Sequence, residues 1–165
     1  MTGTAGIEKT YLRVCGRWAY LYRAIDRDGN LVDTMLSEHR DMAAAQAFFR
    51  SAKAATGVTP ERVTTDGHGS YPRAIRSMLG RRVVHRTNAF RNKGLEQDHR
   101  GVKGRIRCMR GFKSIGSAER FCRSYDELRN FLRFRTRHNQ SIPANRRRLL
   151  LLRRATTVLA ILEAA

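Results

Sequence analysis

The chain has 165 residues, with 33 Lys plus Arg against 14 Asp plus Glu, a formal net charge of +19 and a sequence pI of about 11.4. Its length and 41% hydrophobic content suit one globular domain with a real core. So positive a field self-repels unless something anionic sits nearby. Nucleic acid is the leading partner, because a phosphate backbone rewards clustered Lys and Arg through counterion release, and an anionic membrane surface is the weaker one. Cys15, Cys108 and Cys122 are odd in number and far apart, which argues against a zinc ribbon or a disulfide framework and for reduced thiols in a cytoplasmic protein.

The first elements in chain order are strands. "IEKTYLRVCG" (7–16) alternates β-branched and aromatic residues, and "RWAYLYRAIDRDGN" (17–30) reads as a second strand closed by an Asp28-Gly29 turn. Leu31 to Leu36 returns as a third, antiparallel strand. "SEHRDMAAAQAFFRSAKAATG" (37–57) predicts a helix, capped by Asp41 and stopped by Gly57. A short strand over 59–66 ends on Asp66, a short helix covers 70–80, and 81–86 is another strand. A basic loop (87–94) leads into a helix from about Gly94 to Arg107. "SAERFCRSYDELRNFLRFR" (117–135) is amphipathic, and Phe121, Tyr125, Leu128 and Leu132, flanked by Phe131, predict its core stripe. A terminal helix follows over 145–164. The N-terminus has no apolar signal-peptide core, and the late stretch "LLLLRRATTVLAILEAA" is too short and too charged to span a bilayer.

Ahead of the terminal helix the order is β-β-β-α-β-α-β-α-α. Three antiparallel strands followed by strands separated by helices give a mixed sheet with helices on its faces. This α/β order matches an RNase H-like fold. There, acids on the first strand, at the end of the fourth and on a late helix can meet, and those places carry Glu8, Asp66 and Glu96. Hard cations such as Mg²⁺ take oxygen ligands, and two of them can activate a water or a 3′-hydroxyl for in-line attack at phosphorus. Each acid also has a plainer reading. Asp66 caps the next turn, Glu96 is a solvated helix residue, and Glu8 is a strand-end glutamate. Asp98 points to a different helix face from Glu96 and is the poorer ligand. Lys103, two turns after Glu96, shares its face and suits a phosphodiester strand. His68 and His99 lack motif spacing and read as polar contacts, with His99 also able to touch DNA or position Glu96. Arg105, Arg107, Arg110 and Lys113 form a phosphate-binding surface or a merely solvated face.

The blocks "TYLRVCGRWAYLYRAIDRDGN", "VTTDGHGSYPRAI", "VVHRTNAFRNKGLEQDHRGVKGRIRCMRGFKS" and "SAERFCRSYDELRNFLR" carry a resemblance over most of 7–135. With them the chain resembles the catalytic core of insertion-sequence transposases of the DDE type, the IS-six family. "EQDHRGVK" followed by "MRGFKS" is the specific part. The resemblance implies an RNase H-like fold and a DDE triad with two Mg²⁺ ions, for which Mn²⁺ can substitute. It implies cleavage at transposon ends and joining of the freed 3′-hydroxyl to target DNA, by a homo-oligomer in the prokaryotic cytoplasm at the nucleoid, away from membranes. By position the acids fall on Glu8, Asp66 and Glu96, with Lys103 as basic companion. Asn92, His99, Arg100, Arg105, Arg107, Arg110 and Lys113 complete the DNA-facing set.

The chain departs from the family pattern in three places. Where the family reads "DETY" this chain reads "EKTY", so Glu8 stands for an Asp, one methylene longer. A misplacement near ~1 Å costs about a hundredfold in rate. "RNK" at Arg91 to Lys93 stands near the family's paired asparagines. Family members carry a helix-turn-helix segment before the core, and this chain begins almost at the first strand. The expected division is a catalytic core over 1–138 and a basic, apolar helical tail over 139–165. Glu8 and the early start favour a rival reading, a truncated, inactive DNA-binding relic of a transposase. Asp66, Glu96 and Lys103 favour the enzyme.

Overall fold

The computed structural model describes residues 3–26, 29–87, 93–109, 111–133 and 142–164, with the side chains of 93–99 outside that description. Strands β1 (Thr4–Val14), β2 (Arg17–Ile25) and β3 (Leu31–Ser37) form an antiparallel meander. The first hairpin turns on two residues, Cys15 and Gly16, both at positive φ (49° and 76°). That geometry matches the right-handed strand twist, and the pair carries no strong turn signal in the sequence. Its tip is anchored from far along the chain: Cys15 N–H donates to the Phe112 carbonyl at 2.9 Å and the Cys15 thiol to the Lys113 carbonyl at 2.6 Å. Asp28 of the second expected turn lies outside the described residues.

Helix α1 (Met42–Thr56) begins where Asp41 Oδ1 accepts the Ala44 N–H at 2.8 Å and ends at a left-handed Gly57, as the cap signals predict. Strand β4 (Arg62–Thr65), helix α2 (Tyr71–Met78) and strand β5 (Val84–Thr87) follow, then helices α3 (Lys93–Cys108), α4 (Ile115–Leu132) and α5 (Ala144–Glu163). Strands β4 and β5 are shorter than their predicted spans. β4 runs parallel to β1, and β5 parallel to β4, giving the strand order β3-β2-β1-β4-β5. A three-stranded meander followed by a helical crossover that sets the fourth strand parallel to the first is the RNase H-like arrangement.

Alternation along β1 divides the core in two. Ile7 joins Tyr22, Ala24 and Val63 under Phe48 and Phe49 of α1 and Tyr71 and Ile75 of α2. Leu12 and Val14 join Leu21 and Leu36 on the opposite face, under Val102 of α3 and Ala118 and Cys122 of α4. α3 runs along β1 in the same direction, since Val102 packs with Leu12 and Phe112 then bridges to Val14. Gly101 lets α3 approach α4 closely, for a Cβ there would lie 2.6 Å from the Tyr125 hydroxyl.

The predicted stripe of α4 holds at Phe121 and Tyr125, which pack partly buried against the core, and is displaced beyond them. The helix's buried residues are Ala118, Cys122 and Asp126, whereas Leu128 and Phe131 are 43% and 45% exposed. The physical reason lies in β2, where Arg23 is fully buried and needs an anion. Asp126 supplies it, pairing with both Nη2 and Nε (3.2 Å) of Arg23 and accepting the Thr34 hydroxyl. α4 is therefore rotated to put this carboxylate inward. α5 buries no residue and leans on the end of α4, where Arg154 donates to the carbonyls of Phe131 (3.0 Å) and Arg133 (2.7 Å). Among the described residues, no helix is long and apolar enough to cross a membrane.

Candidate active site at the open edge of the central strand

β4 pairs with β1 only over Thr4 to Gly6, in the register Gly6 to Thr64. From Glu8 onward that edge of β1 carries no strand among the described residues. Continued by two residues past its end, the register would set Asp66 level with Glu8. Glu8 is half-buried and lies opposite Arg23 in the ladder, on the α3–α4 face. Asp66 follows the last residue of β4, and its side chain is 34% exposed. Glu96 lies on α3, the helix that covers Glu8's face of the sheet, and its side chain is outside the described residues.

Asp66 already has partners. Its Oδ1 accepts the His68 N–H at 3.3 Å, the turn-capping role that the sequence also allowed. Its Oδ2 lies 3.9 Å from the Lys9 ammonium. Lys9 sits on the other face of β1, opposite Tyr22, with 6% of its side chain exposed and its Nζ 5.6 Å from the centre of the Tyr71 ring. Burial lowers the Lys9 pKa, and Arg40 adds to this while Asp66 opposes it. The same charges reach the neighbours. His68, whose Nδ1 lies 2.8 Å from the Ser70 hydroxyl, is held below its ordinary value by burial and then by Lys9 and Arg40. Burial, with Asp66 next, pushes the Tyr71 phenol up, and burial raises Tyr22 to about 12.

Lys9, Arg40 and Tyr71 were not among the predicted site residues. A signal for Lys9 was present: it stands at an apolar position of β1, between Ile7 and Tyr11 in the period-two pattern.

Of the predicted basic residues, Lys103 is the one the structure places against the open edge of β1. Val102 and Ile106 turn α3 inward, and Arg100, Lys103, Arg105 and Arg107 are exposed. Arg100, Lys103 and Arg107 fall at helical steps of three and four, forming one stripe. Lys103 reaches over the edge of β1, its Nζ 4.4 Å from the centre of the exposed Tyr11 ring. Lys113, also exposed, follows α3 next to the β1–β2 turn. Asn92, Arg110 and the side chain of His99 lie outside the described residues.

Two divalent cations need several converging oxygens. Among the described residues no three His, Cys, Asp or Glu side chains gather as a metal site. Asp66, the more exposed of the two described acids, faces an ammonium. Glu8 and Asp66 supply two carboxylates to such a centre, and the side chain of the third expected acid, Glu96, lies outside the described residues.

A family model described as a DDE domain matches residues 4–135. The chain belongs to the DDE transposases of the IS-six type. Among curated relatives, the transposase for the insertion sequence-like element IS431mec of Staphylococcus aureus is 36% identical over 117 residues, 68% of this chain and 50% of that protein. The transposase for IS257 in transposon Tn4003, also from Staphylococcus aureus, matches to the same extent. This member of the family thus spans about half the length of those relatives. Among solved structures, the HTLV-2 integrase catalytic core domain in complex with magnesium, in its trimeric form, is 15% identical with a TM-score of 0.48, covering 62% of this chain and 67% of that one. A simian T-cell lymphotropic virus intasome chain is 14% identical with a TM-score of 0.44, covering 57% and 37%.

Proposed function

We propose that this transposase domain works on DNA by laying one strand along the open edge of β1 and the exposed face of α3. A phosphodiester is thereby presented to the acids at positions 8, 66 and 96, and the reaction this reading assigns is strand transfer by a 3′-hydroxyl at insertion-sequence ends. The observation that carries it is the stripe of Arg100, Lys103 and Arg107 on the helix that also bears Glu96, beside the edge where the continued register would set Asp66 level with Glu8. Exposed guanidinium and ammonium groups grip phosphate without reading sequence, which sets the strand's register against the acids. Tyr11, beside Lys103, offers a π-face on which a splayed base can stack. Mg²⁺ is the ion the family resemblance assigns to this chemistry, and a homo-oligomer is the assembly it assigns.

The test has two parts. A labelled short duplex titrated by anisotropy should bind with a steep salt dependence, and Lys103→Ala and Arg107→Ala should flatten it. Pre-cleaved element ends incubated with Mg²⁺ or Mn²⁺ should be joined to target DNA, Asp66→Ala should abolish joining, and Glu8→Asp should raise it. A salt-independent or undetectable interaction would sink the DNA reading. The second reading, a DNA-binding domain without chemistry of its own, is favoured by the ammonium set against Asp66. It predicts full binding and no joining in the native chain.

A further inference from the structure

We propose that the Lys9 ammonium is a built-in cation at Asp66, standing in the charge position of a divalent ion, so that the chain binds divalent metal there weakly and loss of this one charge strengthens binding. The inference deepens the reading above and depends on it only for the roles given to the acids.

Four observations carry it. The Lys9 side chain is 6% exposed, and its Nζ lies 3.9 Å from Asp66 Oδ2. A buried ammonium needs a compensating anion, and Asp66 is the carboxylate that faces it. The ring of Tyr71 forms one wall of its pocket, with Nζ 5.6 Å from the ring centre, so the charge is held in place rather than free to swing into solvent. The ladder fixes its direction too. Lys9 pairs with Tyr22, and turning it to the other face would require a one-residue slip of β1. Lastly, Arg40 adds a second positive charge felt by Lys9, His68 and Tyr71 alike, so the neighbourhood of Asp66 on this face is cationic.

An ammonium donates hydrogen bonds and offers no oxygen to Mg²⁺ or Mn²⁺. It also repels them. A unit charge and a double charge about 4 Å apart disfavour each other on the order of thirtyfold even at the dielectric constant of bulk water, and by more in a partly buried site.

Mn²⁺ binding, followed by the electron paramagnetic resonance signal of the free ion, tests this on the full chain without DNA. The native chain should bind weakly, while Lys9→Gln and Lys9→Met should each bind at least tenfold more tightly. The gain should vanish in the Lys9→Gln, Asp66→Asn double variant. Unchanged affinity in folded Lys9 variants, or a gain that survives loss of Asp66, overturns the proposal. Thermal unfolding in a chelator gives an independent readout that needs no Lys9 variant to fold. Asp66→Asn strands the lysine and should lower Tm, whereas an unchanged or raised Tm would mean that the carboxylate is not serving Lys9. Neither readout involves DNA, so both keep their meaning if the chain fails to bind or join DNA.

Discussion

Asp126→Ala is the most informative perturbation of the scaffold. Arg23 is fully buried, and Asp126 holds it through Nε at 3.2 Å and through Nη2 while also accepting the Thr34 hydroxyl. Removing the carboxylate leaves a guanidinium and a hydroxyl in the interior without their acceptor. Breaking a buried ion pair from one side costs about 3–5 kcal/mol. For a chain of 165 residues, each kcal/mol moves Tm by roughly 2–4 °C, so the drop should be about 6–20 °C. The double replacement Arg23→Met, Asp126→Leu removes both charges together and should recover most of that loss, because an apolar pair of similar volume is often neutral or better. Circular dichroism melts of the three chains measure this. A drop below about 3 °C in Asp126→Ala, or a double variant no better than the single one, would refute the idea that this pair sets the rotation of α4. The effect should extend to the site, since Arg23 lies opposite Glu8 in the ladder.

Other expectations follow from the same geometry. Burial, with Asp126 adding to it, pushes the Cys122 thiol up to about 12, while Cys15 and Cys108 are exposed. The thiolate is the reactive form, so iodoacetamide at pH 8 should label two thiols in the folded chain and the third only in denaturant. His85, whose Nε2 lies 2.9 Å from the buried Thr65 hydroxyl, is held by burial below the ordinary imidazole value of 6.5. Its folded form binds protons less readily than the unfolded one. Its contribution is therefore present above pH 6.5 and lost as pH falls through the folded value. Urea midpoints at pH 7.5 and 5.5 should differ, and His85→Gln should narrow the difference. Each of Lys103→Ala and Arg107→Ala should reduce the slope of log K against log salt by about one, uniformly across DNA sequences.

The sequence made the sheet legible because its signals are local. Alternation marked β1 to β3, Asp41 and Gly57 bounded α1, and the strand before "DGHG" was found, though it stops at Thr65, one residue short of the expected Asp66. What could not be read locally was pairing across the fold. Arg23 and Asp126 are 103 residues apart, and each looks like an ordinary surface charge in its own window. The later half of the α4 stripe was misplaced for that reason, because an apolar-period rule puts Asp126 outside and Leu128 inside. Lys9 is a similar case. A lysine in a chain of 33 basic residues draws no attention until β4 places Asp66 beside it.

Glu8 and Lys9 are consecutive on one strand, and that adjacency decides what they can do. Successive strand residues face opposite sides of a sheet, so Glu8 is sent to the α3–α4 face and Lys9 to the α1–α2 face. Asp66 stands just beyond the end of β4, outside its ladder. An acid within the ladder would be committed to one face. One residue past it, the carboxylate is within reach of the ammonium, which attracts it. On the proposed roles of Glu8 and Asp66 as partner ligands, an acid longer than Asp at position 8 and a cation at position 9 act in the same direction, since the lysine draws Asp66 toward the face opposite Glu8. Restoring a single position should accordingly recover less than restoring both. Joining activity or Mn²⁺ affinity in Glu8→Asp, Lys9→Glu that equals the sum of the two single gains, in free-energy terms, would show instead that the two sites act independently.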